Sequence, residues 1–258
     1  GVEAGGSLGA WLAGFVFERM GEPDRALRYY EEALAAGADP ASLRDAVVRL
    51  SAVAPYRGPR LRALLDDAQA DAPARTTPRT SSSQTSEILV VVLQGRVPYK
   101  VPERMPVGAA VAIAGAHVTG DPRWLSRGVA KVVVYPKLVP GVGVGARSGV
   151  QIDGAPATPA RVDDLAARVR REYDQLLPRI LGTALSGLIA RAAAAEGVRA
   201  LGRRRDEGLG EVLAVLVEGL LVALDEPDTR SWTLLPARAA AVRVAVAPGV
   251  HDVGVQQD

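Results

Sequence analysis

The chain has 258 residues, room for one large domain or two ordinary ones, and its 48% hydrophobic and 23% charged content excludes a disordered or collagen-like polymer. Aromatic residues make up only 4%, cysteine is absent and there are two histidines, which excludes disulfide frameworks, thiol nucleophiles and zinc ribbons. The net charge is +2, Arg supplies almost all the cations, and both signs are interspersed, so no concentrated basic face argues for nucleic acid.

The chain order begins with helices. Leu8, Trp11, Leu12 and Phe15 follow the i, i+3, i+4, i+7 spacing of an amphipathic helix. Gly21 to Asp24 interrupts it, Pro23 suits the first turn of a second helix, and Ala26, Leu27, Tyr30, Ala33 and Leu34 share one face of that helix. Two further helices are expected over 41–52 and 59–70. Residues 71–86 carry Pro, Ser and Thr but no large apolar side chain, which reads as a linker. The expected division is therefore a helical region at 1–70, the linker at 71–86 and an α+β domain at 87–258.

In that domain, 88–93 reads as a buried aliphatic strand, with more strands over 111–113, 129–135 and 142–152. Thr158-Pro159 reads as the start of a helix that Pro178 ends or kinks. A second helix is expected from Leu181 to Ala192 and a third from Leu209 to Leu224, and these three helices would cover the strands. Alternation over 241–247 and 250–255 about Pro248-Gly249 predicts a closing hairpin. No stretch reaches the roughly 20 clean apolar residues of a membrane span, and no signal peptide is visible.

The first helix pair carries a repeat signal. Gly14, Phe17, Gly21, Ala26, Tyr30 and Ala33 stand near the spacings of a tetratricopeptide unit, in which a small residue lets two helices approach and aromatics fill the gap. A plain helical hairpin is the other reading. One such unit does not bury its own faces, so residues 41–70 cap it or further repeats lie upstream. Trp11, Phe17 and Tyr30 are the candidates for contact with a protein partner.

Few residues suggest chemistry. The Gly141–Gly145 alternation lacks the Rossmann spacing and the Walker Lys-Ser/Thr, and reads as a strand connection with close backbone approach. His117 and His251 have no ligand-like neighbours. Asp163-Asp164 reads as helix-dipole charge in a first turn, and Glu211 and Glu218 as a solvated helix edge. Arg199 and Arg203 to Arg205 read as a helix end. Two loops hold more information: Tyr99 to Pro106, and Asp228-Thr229-Arg230-Ser231-Trp232, where stacking of Arg230 on Trp232 or a buried Asp228–Arg230 pair would pin a connector. Tyr99, Trp124 and Trp232 are loop aromatics suited to stacking on sugars. No catalytic set, metal site or cofactor site is identified.

The combination resembles a family of bacterial envelope proteins, mostly lipoproteins, with N-terminal tetratricopeptide repeats. The carrying features are the helix pair Leu8–Leu34, the strand Glu87–Gly95, the Arg-bearing helix Arg179–Arg191, and above all Asp228 to Ala237 leading into Val242-Arg243-Val244 and Pro248 to His251. The resemblance implies a periplasmic or outer-membrane-associated accessory protein without enzymatic activity, with a lipid anchor on a Cys upstream of residue 1. The leading functional expectation is a scaffold that recruits a protein partner. The alternatives are a module binding glycan or peptidoglycan and, third, a carboxylate hydrolase; nucleic acid is not an expected partner.

Overall fold

The computed structural model describes residues 6–70, 86–121, 123, 125, 132–143, 148–202 and 227–257. The chain mixes helix and strand in an α+β arrangement and divides into two compact units. The first gathers residues 1–97, 141–167 and 234–258, and the second gathers 98–140 and 168–233. The linear division expected from composition thus gives way to a woven one. Helices and strands far apart in sequence bury each other's apolar faces, and the linker composition at 71–85 lies outside the described residues.

In the first unit, helices α1 (Ser7–Arg19), α2 (Pro23–Ala35), α3 (Arg44–Ser51) and α4 (Pro59–Ala70) form one layer. Strand β1 (Ser86–Gln94) shows why its aliphatic run is continuous. Ile88, Val90 and Val92 point one way, onto a second sheet, while Leu89 and Val91 point the other way, under the helices. A strand covered on both faces has no polar side to alternate with.

The remaining strands are β2 (Tyr99–Pro106), β3 (Val132–Val139), β4 (Ser148–Ile152), β5 (Ala155–Ala157), β6 (Ala160–Asp164), β7 (Arg238–Val246) and β8 (Val253–Gln257). The sheet under the helices has the order β1-β7-β6, and β1 pairs antiparallel with β7 from Ser86↔Val246 to Gln94↔Arg238. The second sheet is β5-β4-β8. Val242, Val244 and Val246 of β7 join the β1 valines against Val150 and Ile152 of β4, giving a helix–sheet–sheet stack. Val162 of β6 and Ala241 of β7 instead enter the helical core with Trp11, Leu27, Tyr30, Val47 and Leu61.

The second unit is built on the antiparallel pair β2–β3, with α5 (Val107–Ala114), which follows β2, and most of α6 (Leu165–Gly202). Ala110, Ala114, Val133, Tyr135, Leu181, Leu185 and Leu188 form its core. Gly182 lets α6 press on the turn at His117, since a β-carbon there would stand 2.5 Å from the His117 carbonyl oxygen. By length and mean hydropathy (1.2) the Leu165–Gly197 stretch of α6 is the one segment among the described residues apolar enough to cross a membrane. Its buried leucines are, however, those of this core.

Several expectations are corrected here. Residues 111–113 lie in helix α5, because a short aliphatic run has no period of its own and the alanines around it favour helix. Residues 160–164 form β6, where pairing with β7 overrides the helix signal at Thr158-Pro159. Pro178 does not end its helix: α6 spans 38 residues, from Leu165 to Gly202, with the proline inside it, and the leucines buried beyond the proline hold it against the strands. The closing hairpin is not formed, since β7 and β8 belong to different sheets and the Pro248-Gly249 connection carries the chain between them. The third helix, at 209–224, lies outside the described residues.

Candidate functional site

The close helix approach expected at Gly14 is present. A β-carbon there would lie 2.4 Å from Tyr30 Cε1, so only glycine admits the ring. The same packing removes two of the three partner-contact candidates from the surface. Trp11 is 1% exposed and Tyr30 is fully buried, and both fill the helical core. Phe17 keeps some surface, stacked on Tyr29 at 5.2 Å with the Arg25 guanidinium 4.8 Å above its ring.

Sequence reading missed the polar hub beside Tyr30. Tyr30 donates its hydroxyl hydrogen to Glu18 at 2.7 Å. Arg243, on the helix-facing side of β7, donates to both Glu18 oxygens at 2.7 and 2.8 Å and to both Glu87 oxygens at 2.8 and 2.9 Å. Its guanidinium also lies 4.8 Å from the Phe15 ring, and Arg49 pairs with Glu18 from α3. Burial pushes the Glu18 carboxyl up, but the bonds from Arg243 and Tyr30 and the two guanidinium charges outweigh it and hold it below its ordinary value. Burial, then the Glu18 charge, pushes the Tyr30 phenol well above its ordinary value. A carboxylate saturated by arginines stays ionised, so this hub clamps helices to sheet and has no proton to offer. The one signal in sequence was an arginine among alanines and valines on an alternating strand.

Asp163 and Asp164 end β6 instead of opening a helix. Asp163 accepts from the Leu8 N–H at the start of α1 (3.3 Å), and Asp164 accepts from the Ala167 N–H and caps α6 (2.9 Å). The dipole explanation holds for both, at two different helices. At Gly141 a β-carbon would overlap the Arg96 carbonyl, and Arg96 N–H donates to Val142 O at 2.9 Å. This is the close backbone approach expected of the glycine alternation.

In the second unit the two information-rich loops meet. The Lys100 N–H donates to Ser231 Oγ at 3.0 Å, and Ser231 Oγ–H donates to Thr229 O at 3.1 Å. Asp228 accepts from Arg230 three times, from the backbone N–H (3.1 Å), Nε (2.9 Å) and Nη2 (3.1 Å). These bonds, with the nearby Lys100 charge, pull the Asp228 carboxyl down to about 2. The Asp228–Arg230 pair is formed, but it stands in solvent instead of being buried. Beside it Trp232 is 80% exposed and Tyr99 37%. Tyr99 pairs with Val139 across the β2–β3 sheet, and the same end holds a cleft of about 170 Å³ lined by Pro98, Val139, Pro140, Arg170, Tyr173 and Asp174. Tyr173 is held there by donating to Pro136 O at 2.9 Å.

A short polar loop, bonded to Lys100 through Ser231, thus carries an indole ring exposed to solvent. Among the described residues no three metal-ligating side chains gather. Trp124, the arginines 203–205 and the carboxylates 211 and 218 lie outside the described residues. No family model matches the chain, and no curated protein and no solved structure is found to match it.

Proposed function

We propose that the chain is a non-enzymatic interaction protein of the cell envelope, and that it engages a protein partner through the Trp232 loop. The observation that carries this reading is the exposure of Trp232 on a loop already fixed by the Ser231–Lys100 and Asp228–Arg230 bonds. Burying an indole is among the largest single contributions to an interface, and Trp, Tyr and Arg are the side chains that dominate binding energy. A loop held in place before contact loses little entropy on binding. The envelope location rests on the family resemblance of Asp228 to Ala237. The tetratricopeptide-like reading of α1 and α2 is supported by the Gly14–Tyr30 fit, and it makes that pair a brace instead of the contact surface, because Trp11 and Tyr30 are interior.

A second reading is favoured by the company the indole keeps. The loop and the strand it bonds also carry Tyr99, Lys100, Asp228 and Arg230, a phenol and charged groups of the kinds that stack on a sugar ring and bond its hydroxyls. The test is an envelope-extract pull-down with wild type and Trp232→Ala, beside Trp fluorescence titrated with soluble peptidoglycan fragments. A partner retained by wild type and lost by Trp232→Ala supports the protein reading. A saturable fluorescence change with fragments, and no such partner, selects the glycan reading. Equal capture by both proteins with unchanged fluorescence refutes the Trp232 loop as the site.

A further inference from the structure

We propose that His251 and Asp153 form a proton-gated clip that decides whether edge strand β8 stays docked on β4. Asp153 and Gly154 are the two central residues of the β4–β5 turn, with φ of 53° and 77°. Two positive φ values in an Asp-Gly pair make the tight hairpin turn that aspartate tolerates. The turn projects the Asp153 carboxylate toward the β7–β8 connection. There one carboxylate oxygen lies 2.7 Å from His251 Nδ1, and the other accepts the Asp252 N–H at 2.9 Å. The Asp153 N–H returns a bond to Asp252 O at 2.9 Å. On its far side, His251 Nε2 lies 2.7 Å from the Ala247 carbonyl oxygen.

Both ring nitrogens therefore face oxygens that can only accept. A neutral imidazole has one N–H and one bare lone pair, so one of these two contacts would set a lone pair against an oxygen. Only the imidazolium donates to both. The charged groups about the ring are Asp153 across the turn and Asp252 beside it in sequence. The hydrogen bond His251 donates to Asp153, then that to Ala247, raises the His251 midpoint above 6.5, and the same bond lowers Asp153 below 3.8.

The signs give a window. The His251 contribution is complete below pH 6.5 and is lost as pH rises through its folded-state midpoint. The Asp153 contribution is complete above pH 3.8 and is lost as pH falls through its own. The clip is closed between these limits, opens as pH rises through the His251 midpoint, and opens in acid as Asp153 is protonated.

The clip matters because of what it adjoins. It immediately precedes the first β4–β8 pair, Ile152↔Val253. Strand β8 has five residues and β4 as its one neighbour among the described strands. Its valines, 253 and 255, are 42% and 54% exposed, so burial alone secures it weakly.

The test is amide hydrogen exchange of Val253 and Val255 in the full chain between pH 5 and pH 8.5, corrected for intrinsic rates, with the His251 imidazole titration followed by NMR. The expected result is a midpoint above 6.5 and protection of β8 that falls with it, by about tenfold for each unit the midpoint exceeds 6.5. His251→Asn and Asp153→Asn, which keeps a residue suited to positive φ, should each remove that pH dependence while β7 amides stay protected. A midpoint at or below 6.5, flat β8 protection in the wild type, or unchanged pH dependence in either variant overturns the proposal.

Discussion

Replacing Gly14 by alanine sets two effects against each other. Alanine inside a helix is favoured over glycine by about 0.8–1 kcal/mol. Against that, the new β-carbon would lie 2.4 and 2.5 Å from two Tyr30 ring carbons and 3.2 Å from the Ala26 carbonyl oxygen. Carbon atoms prefer about 3.5–4 Å, so the ring or the helix must move by roughly 1 Å. The ring is fully buried, and its hydroxyl is committed to Glu18, so it has no free direction. Overpacking of this kind costs about 1–3 kcal/mol, and a loosened Tyr30–Glu18 bond adds about 1 kcal/mol. The net expectation is a loss of about 2 kcal/mol. Gly9, on the same helix, has nothing within 4 Å of its would-be β-carbon, so Gly9→Ala should gain about 0.5–1 kcal/mol. Urea unfolding followed by circular dichroism, with both variants beside the wild type, measures the two changes. A Gly14→Ala protein as stable as Gly9→Ala would refute the reasoning, because it would mean the α1–α2 contact yields freely.

Arg243→Met should destabilise the first unit by about 2–4 kcal/mol, since it strands Glu18 and Glu87 without their shared cation, and denaturant unfolding checks this. Glu18 is held below 4.5 in the folded state, so its stabilising contribution is complete above that pH and fades as pH falls through the folded value; the gap between wild type and Arg243→Met should narrow in acid. Pro178→Ala should raise the melting temperature, because it restores a hydrogen bond within α6 and removes a ring from a helix interior, an effect of about 1–3 kcal/mol. Trp232→Ala should leave thermal stability within about 0.5 kcal/mol of wild type, since its ring is in solvent, so any binding defect in that variant reports on contact and not on folding.

What sequence could show depended on how local each cause was. The Gly14–Tyr30 fit spans one helical hairpin, and its spacing was readable. The two-sided burial of β1 was readable because seven consecutive residues from 87 to 93 hold only one polar side chain. Residues 160–164 were misread because Arg161, Asp163 and Asp164 look like a helix start, and only pairing with β7 makes them a strand. The Trp232 loop stood out as an aromatic among charges between two prolines. Its meeting with Lys100, 131 residues away, did not, and neither did the convergence of Glu18, Glu87 and Arg243 from three separate segments.

The pairing of β1 with β7 also sets a timetable. The strand Ser86–Gln94 is aliphatic almost throughout, and the neighbour that completes its ladder lies about 150 residues further along the chain. At a synthesis rate of about 5–20 residues per second, that strand waits roughly 8–30 s before its partner exists. During that interval Leu89 to Leu93 form a β-prone apolar run without a proline or a lysine inside it, the kind of segment on which nascent chains aggregate. The helices of the first unit, made earlier, lack their sheet over the same interval. Strand β7 therefore completes the sheet that the first hundred residues begin, and a ribosome-bound chain stopped before residue 238 should depend on chaperones far more than one that includes β7.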